Sequence, residues 1–333
     1  MTLEQIRSIL NNGAFPGRKH PAELVETHIS WVILTPDFAF KIKKPVLLGF
    51  LDFSTEAKRK TFCEAEVLLN RRLAPELYLG VLPIGGEGEH LRIAENALPV
   101  LDHAVQMRRI DNSREMDILL EQNRVTGEQM EQLAAVLAAF HRQVAMTGPI
   151  VYHPGAHWAD FAELYRFQAD VEKYLGLAAA EKMSRWRTRL PLFLEKNAGR
   201  LIARVREGFW VDGHGDLHAR NIFLTDKGPL VFDCIEFSAH FRQSDILNEL
   251  AFLCMDLEAR GHPELATTFL QAYVRYWNVF PDPADQDLFP FFKAYRANVR
   301  LKVTLIELRQ HPSVKLEEQV KVYWGLLDSY LRE

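Results

Sequence analysis

The sequence predicts an α+β fold. A small antiparallel sheet with one long helix occupies the first third, and a mostly helical remainder follows, interrupted by a single polar hairpin. Three observations carry this prediction. Residues 38–43, FAFKIK, alternate strictly, and further short apolar runs stand at 31–34, 77–84, 91–94 and 103–107. From residue 128 onward apolar residues recur at helical spacing. Residues 222–224 and 230–232 flank Thr225-Asp226-Lys227-Gly228, a polar turn that folds one short strand back on another. The 333 residues suffice for two lobes, drawn at 1–107 and 108–333.

Composition narrows the function classes. Hydrophobic content of 48% and charged content of 25% are those of an ordinary globular chain, and a net charge of −4 argues against a general nucleic-acid binder. The three cysteines, Cys63, Cys234 and Cys254, form no CxxC, so reduced thiols and a cytoplasmic location are expected. Apolar stretches such as 133–140 are far short of a membrane span, and MTLEQIRSIL has no signal-peptide core. No low-complexity tract or internal repeat is visible.

Along the chain, residues 3–10 form a short helix with Thr2 as its N-cap, broken by Pro16, Gly17 and Pro21. Residues 31–34 are an apolar strand entered through Thr27–Ser30. In the next strand Phe38, Phe40 and Ile42 share one face and Ala39, Lys41 and Lys43 the other. Asp52 to Glu56 supplies caps and an early acid for a helix whose apolar stripe is read as Phe62, Ala65, Val67, Leu68, Leu69 and Leu73, with Glu64 and Glu66 inside it. Gly85-Gly86-Glu87-Gly88 reads as a hairpin tip, since no helix follows it as a phosphate loop would need. Helices are expected at 128–144, 158–175, 178–185 and 190–207, with a Pro-containing break at 151–155, and residues 245–256 form a strongly apolar, buried helix.

The chemistry concentrates in residues 211–237, VDGHGDLHARNIFLTDKGPLVFDCIEF. The hairpin returns Asp233 toward Asp216 and Asn221. Asp216 is placed to accept the proton of an attacking hydroxyl, and Asn221 and Asp233 are placed to hold Mg²⁺ against nucleotide phosphates. A rival reading makes His214, Asp216 and His218 zinc ligands of a hydrolase, but their segment reads as irregular and no further His/Cys cluster stands nearby. His214 is read as a structural histidine bonding the loop backbone. A late stripe, Lys293, Arg296 and Arg300 with Lys302 beside it, reads as a solvated helix face or as part of an acceptor cleft, and argues mildly against a polycationic antibiotic as acceptor.

His214-Gly215-Asp216 with Asn221 five residues after the Asp resembles the HGDxxxxN pattern of the aminoglycoside phosphotransferase family, small-molecule kinases that share the protein-kinase fold. The resemblance implies a two-lobed kinase-like fold, ATP and Mg²⁺ as cofactors, and an alcohol group on a small molecule as phosphoryl acceptor. It implies that Lys41, with the small Ala39 two residues before it, holds the α/β-phosphates and that Glu66, with Glu64 as fallback, pairs with it. It further implies that Met107 to Arg109 form a hinge whose backbone bonds the adenine, and that Asp245 supports the catalytic loop. The resemblance reaches motif level only in residues 38–66 and 211–245. Some members carry a second, P-loop kinase domain. No GxxxxGK[ST] occurs in these residues, so a member with the first domain only is expected. The alternative from another class is a nucleotide-binding regulatory module that does not turn over.

Overall fold

The computed structural model describes residues 1–49, 51–88, 90–147, 150, 153 and 155–332. They divide into two compact units, Met1–Ile118 with Asn221–Arg242, and Leu119–Arg220 with Gln243–Glu333. The boundary expected at 107/108 falls inside the first unit, and the predicted hairpin belongs to that unit as well.

The first unit opens with α1 (Leu3–Asn11), capped by Thr2 in a capping box with Gln5. Six strands then build an antiparallel sheet: β1 (Glu23–Glu26), β2 (Ser30–Leu34), β3 (Phe38–Lys43), then, after a small ribbon of β4 (Leu47–Leu48) and β5 (Leu51–Asp52), β6 (Tyr78–Gly85), β7 (Arg92–Ile93) and β8 (Val100–Arg108). Their spatial order is β1-β2-β3-β8-β6-β7, which puts β3 in the middle. A central strand buries both faces, and the alternation of FAFKIK serves this. Phe40 and Ile42 join a core with Ile6, Ile9 and Trp31, while Ala39 joins a second core with Cys63, Val67, Tyr78 and Met107.

Helix α2 (Glu56–Asn70) supplies the second core, but through a different stripe from the one expected. Its buried residues are Arg59, Cys63, Glu66, Val67 and Asn70. Leu68 is 72% exposed, so the apolar count alone misplaced the face. After β8, α3 (Met116–Glu121) leads into the second unit. Residues 222–231 of the first unit form the predicted hairpin, β10 (Ile222–Thr225) with β11 (Gly228–Val231), and Leu230 and Phe232 pack against the second core. Helix α8 (Ala239–Arg242) ends this part of the unit.

The second unit is mostly helical: α4 (Gly127–Gln143), α5 (Gly155–Ala162), α6 (Gln168–Leu175), α7 (Leu177–Arg206), α9 (Ile246–Ala259), α10 (Pro263–Tyr276), α11 (Asp285–Gln310) and α12 (Val314–Tyr330). A two-stranded ribbon pairs β9 (Trp210–Asp212) with β12 (Gln243–Asp245). Where one helix was expected at 158–175, a 3₁₀ turn, Glu163–Phe167, separates two. Where two were expected around Pro191, a single 30-residue helix runs through it. The proline removes one hydrogen bond, and packing of Met183, Trp186, Leu190 and Leu194 carries the helix across. Helix α9 is the buried helix expected near residues 245–256, capped by Asp245 through Leu247 N–H. Of the expected break at 151–155, residues 151, 152 and 154 lie outside the described residues. Among the described residues no helix is long and apolar enough to cross a membrane.

Candidate active site

The first unit brings Lys41, Glu66 and Asp233 together. Lys41 Nζ lies 2.9 Å from Glu66 Oε1 and 2.5 Å from Asp233 Oδ1. Glu66 reaches it from the middle of α2, where it is fully buried, whereas Glu64 is exposed beside Lys60 at 4.0 Å. Burial alone would lower the Lys41 pKa, but Asp233, Glu66 and Glu236 hold it well above the ordinary lysine value. Burial alone would raise the Glu66 carboxyl, yet Lys41 and Lys43 bring it down to about 2.

Lys43 is also here. Its Nζ is 2.6 Å from Glu66 Oε2 and pairs with Glu236 Oε1. No sequence pattern had singled out Glu236, although an acid inside the apolar run CIEF was a signal that it would be buried and paired.

Asp233 takes a left-handed backbone conformation, φ +63°, uncommon for a residue with a side chain. Its N–H donates to Tyr78 Oη at 3.1 Å, and the N–H of Cys234 donates to Asn70 Oδ1 at 2.8 Å. Two contacts from β6 and α2 thus hold a conformation the residue would not choose alone. The hairpin register also brings Asn221 close. Ile222 pairs with Val231, and Phe232 N–H donates to the Asn221 backbone carbonyl at 3.0 Å, so Asn221 and Asp233 close the same end of the hairpin. Both offer oxygen donors, which suit a hard divalent cation and fit Mg²⁺.

Beside Lys41 and Asp233 opens a cavity of about 260 Å³, lined mainly by apolar side chains: Val32, Leu34, Ala39, Leu77, Met107 and Phe232 among them. Ala39 sits opposite Met107 across the β3–β8 ladder. At the expected hinge, the Arg108 N–H already donates to Leu77 O and the Arg109 N–H to Asp37 O, each at 2.9 Å. These two amides are therefore engaged by the residues that lead into β6 and β3.

Asp216 lies in the second unit, on a loop held by a set of buried groups. Glu249 accepts from His214 N–H (2.7 Å) and Gly215 N–H (2.8 Å), and Asp256 accepts from Ala219 N–H (2.9 Å). Arg296 donates to the Gly215 carbonyl at 3.0 Å and to Asn248 Oδ1 at 2.8 Å. Gly213 permits this approach, since a Cβ there would stand 2.7 Å from the Glu249 carboxyl. Burial alone would raise the Glu249 carboxyl, but the His141 contact, Arg296 and His214 bring it down to about 2.

The support expected from Asp245 is corrected here. Asp245 caps α9 and pairs with Arg204 at 2.7 Å, while Glu249 and Asp256, one and three turns further along the same helix, receive the loop amides. The signal was available: both are acids in an otherwise strongly apolar helix. His214 Nδ1 accepts from Asp216 N–H at 3.3 Å, and His218 Nε2 lies 3.2 Å from the Asp216 carboxylate. Burial alone would raise the Asp216 carboxyl, but His218, Arg300 and His214 hold it well below the usual carboxylate range. In sequence the two sets adjoin, since Arg220 is the last residue of this part of the second unit and Asn221 the first of the returning part of the first unit.

The late basic stripe is not a solvated face. Lys293 pairs with Glu258 at 2.7 Å, Arg296 is 5% exposed on the loop, Arg300 donates to Tyr323 Oη at 3.4 Å, and Lys302 donates to Asp160 O at 2.7 Å. Its charges are engaged inside the unit, so the argument it offered against a cationic acceptor falls.

Residues 72–283 match the model of the phosphotransferase enzyme family abbreviated APH. Uncharacterized proteins of Mycobacterium tuberculosis and Mycobacterium bovis are 33% identical over 294 residues, covering 86% of this chain and 55% of theirs. The chain thus spans about half the length of the curated relatives it matches. Among solved structures, a choline kinase from Cryptosporidium parvum superposes with a TM-score of 0.57 at 12% identity, covering 98% of this chain and 95% of its own. A choline/ethanolamine kinase family protein from Mesorhizobium loti gives 0.55 at 13%, covering 100% and 96%. The GDP and kanamycin complex of APH(2")-IIia gives 0.51 at 13%, covering 99% and 98%. These likenesses agree with the kinase-like α+β fold, an antiparallel-sheet unit and a mostly helical one.

Proposed function

Because the chain belongs to this phosphotransferase enzyme family, we propose that it moves the γ-phosphoryl group of ATP to a hydroxyl of a small molecule. The observation that carries the reading is the contact of Lys41 with both Glu66 and Asp233 beside an apolar cavity. The cavity takes the adenine among Val32, Leu34, Ala39, Met107 and Phe232. Lys41 binds the α/β-phosphates, and Glu66 holds its ammonium there. Arg109, on the cavity rim, bonds Asn112 at 2.8 Å and so shapes the entrance.

Asn221 and Asp233 hold Mg²⁺, which when bound neutralises charge on the phosphates. Asp216 accepts the proton of the acceptor hydroxyl as its oxygen attacks the γ-phosphorus in line and ADP leaves. A carboxylate held at low pKa is a weak base. Its role is therefore to orient the hydroxyl and to take the proton late, as fits a loose phosphoryl-transfer transition state. His214, Glu249, Asp256 and Arg296 keep the Asp216 loop in shape.

The solved kinases of the same fold are named for choline, ethanolamine and aminoglycosides, so amino alcohols and amino sugars are the first acceptors to try. The test is a metabolite panel with ATP and Mg²⁺, read by ADP release and by thermal shift. Stabilisation by Mg·ATP with ADP release for one acceptor class is expected. Stabilisation without ADP release, even with water as acceptor, would favour a regulatory module. Neither signal would sink the proposal.

A further inference from the structure

The phosphotransfer reading leaves the buried pair of Lys43 and Glu236 without a task. Lys43 stands two residues beyond Lys41 on β3, so both side chains leave the same face of the sheet. Its ammonium, 1% exposed, shares Glu66 with Lys41. One carboxylate oxygen faces Lys41 at 2.9 Å, the other faces Lys43 at 2.6 Å. Glu236 closes the far side of Lys43, and the Phe53 ring covers it with Nζ 4.9 Å from the ring centroid. Charges therefore alternate along one line: Asp233, Lys41, Glu66, Lys43, Glu236. The two ends of that line differ. The Asp233 side chain is 42% exposed and the Glu236 side chain 4%.

We propose that Lys43 and Glu236 are positioning residues, which fix the Glu66 carboxylate and through it the Lys41 ammonium. The proposal rests on reading Lys41 as the phosphate-binding lysine. A carboxylate held by one lysine alone can turn about its own side-chain bonds, whereas one held at both oxygens cannot. When nucleotide phosphates draw Lys41 away from Asp233, the line opens at its exposed end, and Glu66 stays fixed by its buried one. The arrangement also pins α2. Moving this helix outward would break Glu66 from two lysines at once and leave charges buried without partners. The buried pair thus holds the nucleotide side assembled.

The test replaces the whole pair, Lys43→Met with Glu236→Leu, because an apolar substitute of similar size for a buried ion pair commonly preserves folding. Mg·ATP binding by calorimetry, ATP turnover and thermal unfolding are measured for wild type and variant. The expected result is a folded variant whose Mg·ATP affinity falls about tenfold or more, the usual effect of removing a group that orients a ligand-binding side chain. In that background Lys41→Ala should cost less than in wild type, because the lysine it removes is no longer held in place. A pair that only supported the fold would change unfolding and leave affinity alone. A folded variant with wild-type affinity and turnover overturns the proposal. Should the double variant not fold, Glu236→Gln keeps the shape and removes the charge, and unchanged affinity there overturns it equally. A wild type that binds no Mg·ATP refutes the phosphotransferase reading itself, an outcome distinct from either.

Discussion

The Lys41 ammonium and the Asp233 carboxylate lie 2.5 Å apart. The residue proposed for the phosphates and the residue proposed for the metal therefore pair with each other. In the proposed reaction, binding of Mg·ATP exchanges that contact for two others, the ammonium to phosphate and the carboxylate to the cation.

Lys41→Ala tests the first half of the exchange. Mg·ATP is expected to raise the melting temperature of the wild type, and the variant should lose most of that rise. Equal shifts in the two proteins would show that the phosphates are held elsewhere.

Asp216→Asn separates chemistry from binding. It keeps the shape and removes the proton acceptor, so turnover should fall roughly 10²–10⁴-fold, the usual range for a positioned base, with nucleotide affinity nearly unchanged. Asp233→Asn should weaken both, because it removes a metal ligand. Full activity in the Asp216 variant, combined with loss on changing His218, would overturn the assignment of the base.

The metal is the third point. Oxygen donors from Asn221 and Asp233 call for Mg²⁺ or Mn²⁺, and chelation should abolish the nucleotide-induced shift until either ion is restored. Stoichiometric zinc retained through dialysis would instead point to the hydrolase alternative.

Glu249 makes a prediction about stability and pH. Its folded pKa is depressed from 4.5 to about 2. The unfolded chain thus binds the extra proton first, and the stabilisation is complete above about pH 4.5 and drains away as pH falls toward about 2. Glu249→Gln should cost on the order of 3 kcal/mol at pH 7, with the gap to wild type narrowing steadily below pH 4.5. Urea unfolding across that range checks it, and a gap independent of pH would contradict the electrostatic account.

The hairpin was legible in the residue order: a polar turn between two short apolar runs brings Asn221 and Asp233 to one end of it. Strand alternation put both Lys41 and Lys43 on the face of Ala39, and only the resemblance, with its small residue two before the lysine, singled out Lys41. The α2 stripe was misread because apolar residues were counted, whereas the buried face includes Arg59, Glu66 and Asn70, polar groups with partners of their own. Glu249, Asp256 and Glu236 escaped for a related reason. Their partners are backbone amides or a lysine far along the chain, and neither leaves a mark in local periodicity. Pro191 misled in the opposite direction, since its neighbours' packing outweighs the one hydrogen bond it withholds.

The sheet unit is assembled from two separated stretches of chain, the second being residues 221–242. This has a consequence for the order in which the protein is made. When the first 118 residues have left the ribosome, Lys43 and Lys41 lack Glu236 and Asp233, and the second core lacks Leu230 and Phe232. Two ammonium groups then compete for Glu66 alone, and a groove in the core stands open. The sheet unit therefore cannot finish folding until residue 242 has been made, and a nascent chain stalled before that point should be cut by proteases within its sheet until the hairpin arrives to complete it.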